Sequence, residues 1–172
     1  YVGGGISSSL SPTGGDIAVF GFADRTISAP NTLEFITIST EGDSVDFGDE
    51  TVQPVRNVIG AADNGAGDRG IFGGGYGAPN YQTVISYITI SSPGNSADFG
   101  DLSVGRFGNS ALSNAIHDRA VFVGGHQGSG HNTMDYVTIS TTGNAATFGE
   151  YITAVSGEEQ AGGYYAGTTS NG

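Results

Sequence analysis

Phe35-Ile-Thr-Ile-Ser-Thr-Glu-Gly-Asp-Ser-Val-Asp-Phe47-Gly48 returns as Tyr87-Ile-Thr-Ile-Ser-Ser-Pro-Gly-Asn-Ser-Ala-Asp-Phe99-Gly100 and again as Tyr136-Val-Thr-Ile-Ser-Thr-Thr-Gly-Asn-Ala-Ala-Thr-Phe148-Gly149. The copies lie 52 and 49 residues apart. A second block keeps step with the first: Ala18-Val-Phe20, Gly70-Ile-Phe72 and Ala120-Val-Phe122, each closely following Asp16, Asp68 or Asp118, at offsets of 52 and 50. Two blocks sharing one period mark a tandem repeat, and the fold question becomes what one unit of about 50 residues forms.

Inside a unit, the aromatic-Ile-Thr-Ile-Ser segment alternates. Ile36 and Ile38, Ile88 and Ile90, and Val137 and Ile139 fall on one face, with Thr and Ser on the other, which predicts a half-buried strand. The Ala-Val-Phe block is apolar at consecutive positions and runs into Gly73-Gly-Gly75 or Gly124-Gly125, which predicts a strand covered on both faces and ended by a tight turn. Gly94-Asn95 and Gly143-Asn144 mark the next turn, before a short Asp-Phe-Gly strand. A more variable stretch follows, Val58 to Asn64 or Ala111 to Asn114. Each unit therefore holds about four short antiparallel strands. Phe20, Phe72 and Phe122 are expected as equivalent core residues, as are Ile38, Ile90 and Ile139.

Composition agrees. Gly supplies 31 of the 172 residues, far above a usual share of about 7 percent, which suits dense turns and no helix beyond eight residues. No Gly-X-Y triplet runs through the chain, and hydrophobic residues make up 37% of it, enough for one domain's core. There is no Cys, so thiolate chemistry, disulfides and cysteine-zinc sites are all excluded. The five basic residues are all Arg, against 17 Asp and Glu, for a net charge of −12. That field repels phosphate backbones and anionic headgroups, which speaks against nucleic acid and membrane surfaces as partners. No apolar run reaches the 18 or so residues of a membrane span, and no signal peptide is visible.

A unit of this size and strand count matches one blade of a β-propeller. The reading is therefore an all-β chain of about three four-stranded antiparallel blades: repeat 1 over 16–67, repeat 2 over 68–117 and repeat 3 over 118–172, with 1–15 a leading partial blade whose strand falls within residues 1–11. The β-trefoil and β-prism, which also close with three units, are the alternatives. A Gly pair after a hydrophobic strand, followed a dozen positions later by an aromatic, as in Gly74-Gly75 to Tyr87 and Gly124-Gly125 to Tyr136, resembles the kelch, or galactose-oxidase-type, blade pattern. The downstream Trp of that pattern is missing, and Phe47, Phe99 and Phe148 stand in its place. Tyr-Ile-Thr-Ile-Ser, Gly-Asn, Asp-Phe-Gly-Asp-Leu-Ser-Val with a following Arg, and Asp-Arg-Gly-Ile-Phe-Gly-Gly-Gly-Tyr together resemble the kelch-like tandem repeats of marine bacteriophage structural and tail-fibre proteins, over residues 16 to about 155. The last unit departs: Glu150-Tyr151 replaces Asp-Leu, no Arg follows, and Phe148 to Asn171 spans 23 residues where Phe99 to Asn114 spans 15.

Candidate chemistry is sparse. Arg56 with Arg106 and Arg69 with Arg119 recur 50 apart, beside periodic Asp46/Asp98, Asp49/Asp101 and Asp68/Asp118. An Arg cluster could clamp a sialic-type carboxylate. A residue present in every unit is more simply an Arg-Asp pair or turn cap, because a catalytic site needs different groups from different units. His126 and His131, with His117 nearby, could hold a metal, but a spacing of five has no strand or helix logic, and exposed loop histidines are expected. The acidic strings Glu41, Asp43, Asp46, Asp49, Glu50 and Asp98, Asp101 lack a calcium-loop pattern and read as a solvated face. The Gly-rich stretches 3–5 and 73–77 lack a phosphate-loop Lys. No catalytic residue, metal or cofactor is assigned. Tyr76, Tyr81, Tyr164 and Tyr165 fall outside the periodic core slots in Gly- and Asn-rich loops, where amphipathic rings suit contacts with sugars or proteins.

The resemblance implies a non-enzymatic virion structural or host-recognition module at the virion surface or outside the cell, contacting other virion proteins, further copies or repeats of itself, or a cell-surface glycan. A carbohydrate-active kelch-type enzyme or lectin is the alternative. Three units are too few to close a propeller and leave two apolar faces open. Those faces are expected to be covered by further repeats in a longer polypeptide, favoured because the chain starts at Tyr1 and ends in mid-loop at Asn171-Gly172, or else by a second copy completing six blades.

Overall fold

A computed structural model describes residues 15–21, 31–52, 59–77, 79–114, 117–128, 132–151 and 169–170. These residues are all-β, with no α-helix and a short 3-10 turn at Gly65–Gly67. Strands β1 (Ile17–Gly21), β2 (Thr32–Thr37) and β3 (Val45–Asp49) form one antiparallel sheet in that order. Strands β4 (Gly60–Asp63), β5 (Arg69–Gly73), β8 (Val84–Thr89) and β9 (Ala97–Asp101) form a second, ordered β4-β5-β8-β9. Strands β10 (Ser110–Ser113), β11 (Arg119–Val123), β12 (Thr133–Thr138) and β13 (Ala146–Glu150) form a third in the same order. A two-stranded ribbon, β6 (Tyr76–Gly77) with β7 (Asn80–Tyr81), is inserted between β5 and β8. None of the four sheets closes into a barrel. The expected leading strand within residues 1–11 lies outside the described residues.

The sheets run one strand ahead of the sequence repeats. β4 ends repeat 1 and β10 ends repeat 2, yet each is the first strand of the following sheet. A short polar turn locks this lacing. The Asn64 Oδ1 accepts from the Arg69 backbone N–H at 2.9 Å, and Asn114 does the same for Arg119 at 3.2 Å. Asp68 and Asp118 sit at φ of 59° and 58°, a left-handed conformation that short polar side chains tolerate.

Register is the same in all three sheets. Phe20 lies opposite Glu34, Phe72 opposite Ser86, and Phe122 opposite Asp135. The last strand of each sheet carries a bulge: opposite Leu33–Glu34, Ile85–Ser86 and Met134–Asp135 the pairing skips one residue, Phe47, Phe99 and Phe148. The bulge re-aims the Phe of Phe47-Gly48, Phe99-Gly100 and Phe148-Gly149.

Two equivalent cores join successive sheets. Leu33 and Phe47 of the first meet Phe72 and Ile88 of the second, with Val19, Phe35 and Ile90 alongside. Ile71, Ile85 and Phe99 of the second meet Phe122, Val137 and Ile139 of the third. Each sheet thus has one face for the unit before it, carrying the Ala-Val-Phe aromatic and two aliphatics, and one for the unit after it, carrying the bulge Phe.

Burial follows position in the stack and corrects one expectation. Phe122 is 0% and Phe72 6% exposed, but Phe20 is 44% exposed; Ile139 is 0% exposed and Ile38 62%. Phe20 and Ile38 keep the register of their counterparts, yet they are not core, because among the described residues no sheet precedes the first. At the other end, Phe148 is 50% exposed where Phe47 and Phe99 are 3% and 2%. Phe72→Ala and Phe122→Ala should each cost about 3–5 kcal/mol, and Phe20→Ala less than about 1 kcal/mol, in urea unfolding. Equal losses at all three positions would contradict the stacking order.

Candidate functional site

The periodic Asp16, Asp68, Asp118, Arg69 and Arg119 hold the scaffold together. The Asp16 carboxylate accepts from the Ser39 backbone N–H at 2.8 Å and the Ser39 hydroxyl at 2.6 Å, tying the turn before β1 to the end of β2. Asp68 holds Ser91 and Asp118 holds Ser140 in the same way. Arg69 and Arg119 lie over the rings of Tyr87 and Tyr136, at 4.4 and 4.8 Å, and the Arg69 Nη1 also donates to the Ile139 carbonyl oxygen at 3.1 Å. Guanidinium faces on tyrosine rings are stabilising. They are not arranged as a carboxylate clamp.

Arg106 has a different setting. It is fully buried, and its Nη2 donates to the buried Asp135 carboxylate at 2.9 Å, while its Nε and Nη1 have no partner among the described residues. Burial pushes the guanidinium pKa below its ordinary value, opposed by the Asp135 charge and hydrogen bond. The Ser103 hydroxyl also donates to Asp135, at 2.7 Å, so the pair bolts the second sheet's trailing segment to the third sheet. In the preceding interface the buried Glu50 accepts from the Ser86 hydroxyl at 2.6 Å, with Ser86 in the register position of Asp135. Arg56, the sequence counterpart of Arg106, lies outside the described residues.

The glycine pair lets Arg106 reach this place. Gly74 and Gly75 have φ of 87° and 111°, and the Gly75 N–H donates to the Arg106 carbonyl oxygen at 2.8 Å. A Cβ on Gly74 would lie 2.5 Å from that oxygen, so any side chain would push the segment away.

Beyond the glycines, at the same end of the second and third sheets, the rings of Tyr76, Tyr81, Phe107 and His126 gather. Tyr81 stacks on Phe107 with centroids 5.8 Å apart and an interplanar angle of 2°. Tyr76 contacts both, at 5.6 and 6.1 Å, and His126 stands edge-on to Phe107 and Tyr81 at 5.2 and 5.8 Å. All four side chains are half-buried. The ribbon β6–β7 pairs Tyr76 with Tyr81, and the Phe107–His126 backbone bridge ties the third sheet to them. Tyr76 and His126 hold the same place in successive units, directly after the Gly pair.

Of the residues expected to meet a partner, Tyr76 and Tyr81 are thus brought together, while Tyr164 and Tyr165 lie outside the described residues. Phe107 and His126 were missed as members of this surface. His126 was expected as an exposed loop residue and is instead packed among rings. His117 is exposed, and His131 is not described. Among the described residues no three His, Asp or Glu side chains gather as metal ligands would, and no helix is long and apolar enough to cross a membrane. Neither a comparison with protein-family models nor one with curated proteins yields a match.

Two measurements check the scaffold. Asp135→Ala should cost about 3–5 kcal/mol, because it strands a buried guanidinium, and a loss below 1 kcal/mol would contradict the bolt. Burial pushes the Asp118 carboxyl up, but hydrogen bonds from Ser140 and Asn64 and the Arg69 charge outweigh it and hold its pKa below the ordinary aspartate value. A pKa lower in the folded chain adds stability above the unfolded value of about 4, and that stability is lost as pH falls through the folded value. Urea unfolding between neutral and acid pH should show a shallower acid loss in Asp118→Asn than in the unaltered chain.

Proposed function

We propose that the three sheets are kelch-type β-propeller blades and that the chain is a non-enzymatic virion structural or host-recognition module. It contacts its partner, a protein or a cell-surface glycan, through the Tyr76, Tyr81, Phe107 and His126 surface. The observation that carries this reading is the contrast between two sets of residues. Among the described residues, the repeated Asp16, Asp68, Asp118, Arg69, Arg119 and Arg106 side chains are engaged in turns, ring stacking and the interior ion pair, whereas the half-buried rings differ from unit to unit and converge at one end of the stack. Flat rings with polar edges favour sugar faces and protein loops alike. The four-stranded meanders, the laced first strand and the glycine turns support the blade assignment. The tandem pattern and the acidic, Lys-free composition support the virion setting.

The same rings also favour the lectin form of the carbohydrate-binding alternative, which a glycan array with a parallel hydrolase and oxidase screen separates from an enzyme. Binding without turnover is expected. Tyr81→Ala should weaken the captured glycan or protein at least tenfold while the chain still unfolds cooperatively, its midpoint lowered only by the lost ring contacts. Turnover of any sugar would replace this reading by the enzymatic one, and undiminished binding by the variant would move the contact elsewhere.

A further inference from the structure

The two ends of the stack are halves of the interface that already joins its sheets twice. The first sheet presents Phe20, Ile36 and Ile38, the counterparts of Phe72, Ile88 and Ile90 and of Phe122, Val137 and Ile139. On the third, Met134 and Phe148 are the counterparts of Leu33 and Phe47 and of Ile85 and Phe99, while Val121, the counterpart of Val19 and Ile71, is already buried. Phe20, Ile38 and Phe148 are the members of these sets left largely in water.

The backbone carries the same complementarity. At both internal joints a Gly-Asn turn seats on the bulge glycine of the preceding sheet. A Cβ on Gly48 would lie 2.4 Å from the Gly94 carbonyl oxygen, and one on Gly100 2.4 Å from that of Gly143. The Asp49 N–H donates to Asn95 Oδ1 at 3.0 Å and the Asp101 N–H to Asn144 Oδ1 at 3.1 Å. In return the Ser96 and Ala145 N–H groups donate to the Asp49 and Asp101 carbonyl oxygens, at 2.9 and 2.7 Å. Gly149 has the same φ, 150° against 147° and 149°, but its missing Cβ faces nothing nearer than Met134 Cε at 3.8 Å. Gly42-Asp43-Ser44 is the matching turn on the first sheet.

We propose that a second copy of this chain docks head to tail, its Phe20 and Ile38 face covering the Phe148 face of the first. The Gly42-Asp43 turn of one copy then seats on Gly149 of the other, with the Glu150 N–H donating to Asp43 Oδ1. Such a contact uses different patches on the two copies, so it closes only if the rotation per unit permits, and two copies of three sheets give six. It also sets Glu41 and Asp43 against Glu150, where the internal turns carry Asn and no such charge. Salt should therefore strengthen it. The inference rests on the observed stacking and not on the aromatic surface, so Tyr81→Ala should leave it unaffected.

Sedimentation velocity of the whole chain across a concentration series tests this, with thermal unfolding to confirm that variants fold. The unaltered chain should associate, more tightly at high salt and in Asp43→Asn by several-fold. Phe20→Ser or Phe148→Ser alone should weaken association at least tenfold, since each spoils every contact in a pair of like copies. Mixing the two variants should restore a one-to-one pair, because the intact Phe148 face of one meets the intact Phe20 face of the other. A monomer at every concentration in high salt would overturn the proposal. So would association that survives both single variants, or a mixture that fails to pair.

Discussion

Everything in this molecule depends on a sheet having two apolar faces and being unable to cover either by itself. A four-stranded meander of about 40 residues has no interior. Its Ile and Phe side chains leave water only when another sheet lies against them, and burying one such Phe contributes a few kcal/mol. The repeat supplies that neighbour in a fixed form. Because each unit carries the same two faces, one interface design, bulge Phe against the Ala-Val-Phe aromatic, serves at each joint.

That constraint explains where the polar residues went. Stacked sheets need their connections held close, so the Asp-Ser clamps, the Asn-capped turns and the Gly74-Gly75 and Gly124-Gly125 pairs lie where the chain passes between strands or sheets, while Gly48, Gly100 and Gly149 sit at the strand bulges. Charges can enter such joints only with partners. Glu50 with Ser86 and Arg106 with Asp135 are two solutions at one register position. Repetition constrains such positions in every unit. The residues free to vary are those beyond the glycine turns, which is why Tyr76 and His126 can differ at equivalent places and build a surface with Tyr81 and Phe107.

The existence of the strands, their turns and their common register were legible in the sequence because period-2 alternation and Gly-Asn punctuation are local signals, and three copies let each one check the others. The turn-holding role of Asp68 and Asp118 was legible for the same reason, whereas Arg69 and Arg119, expected in Arg-Asp pairs or turn caps, lie over the Tyr87 and Tyr136 rings. Tyr76 and Tyr81 stood out as rings away from the periodic slots. Phe107 and His126 did not, since their membership in the cluster comes from contacts across two sheets and no sequence spacing encodes it.

The sequence by itself determined the plan of the unit, a short strand around each aromatic-Ile-Thr segment and each Ala-Val-Phe block with turns between them, set by backbone sterics and side-chain alternation within a few residues. The strands Thr32–Thr37, Val84–Thr89 and Thr133–Thr138 begin three residues before the alternating segment and stop short of Ile38, Ile90 and Ile139. Tertiary structure decided what that unit does with its faces. It assigned β4 and β10 to the following sheets, since strand pairing is a choice between neighbours that local pattern does not make. It also separated Phe20 from Phe72 and Phe122, equivalent in repeat position and different in exposure, because burial belongs to the pair of sheets and not to the residue.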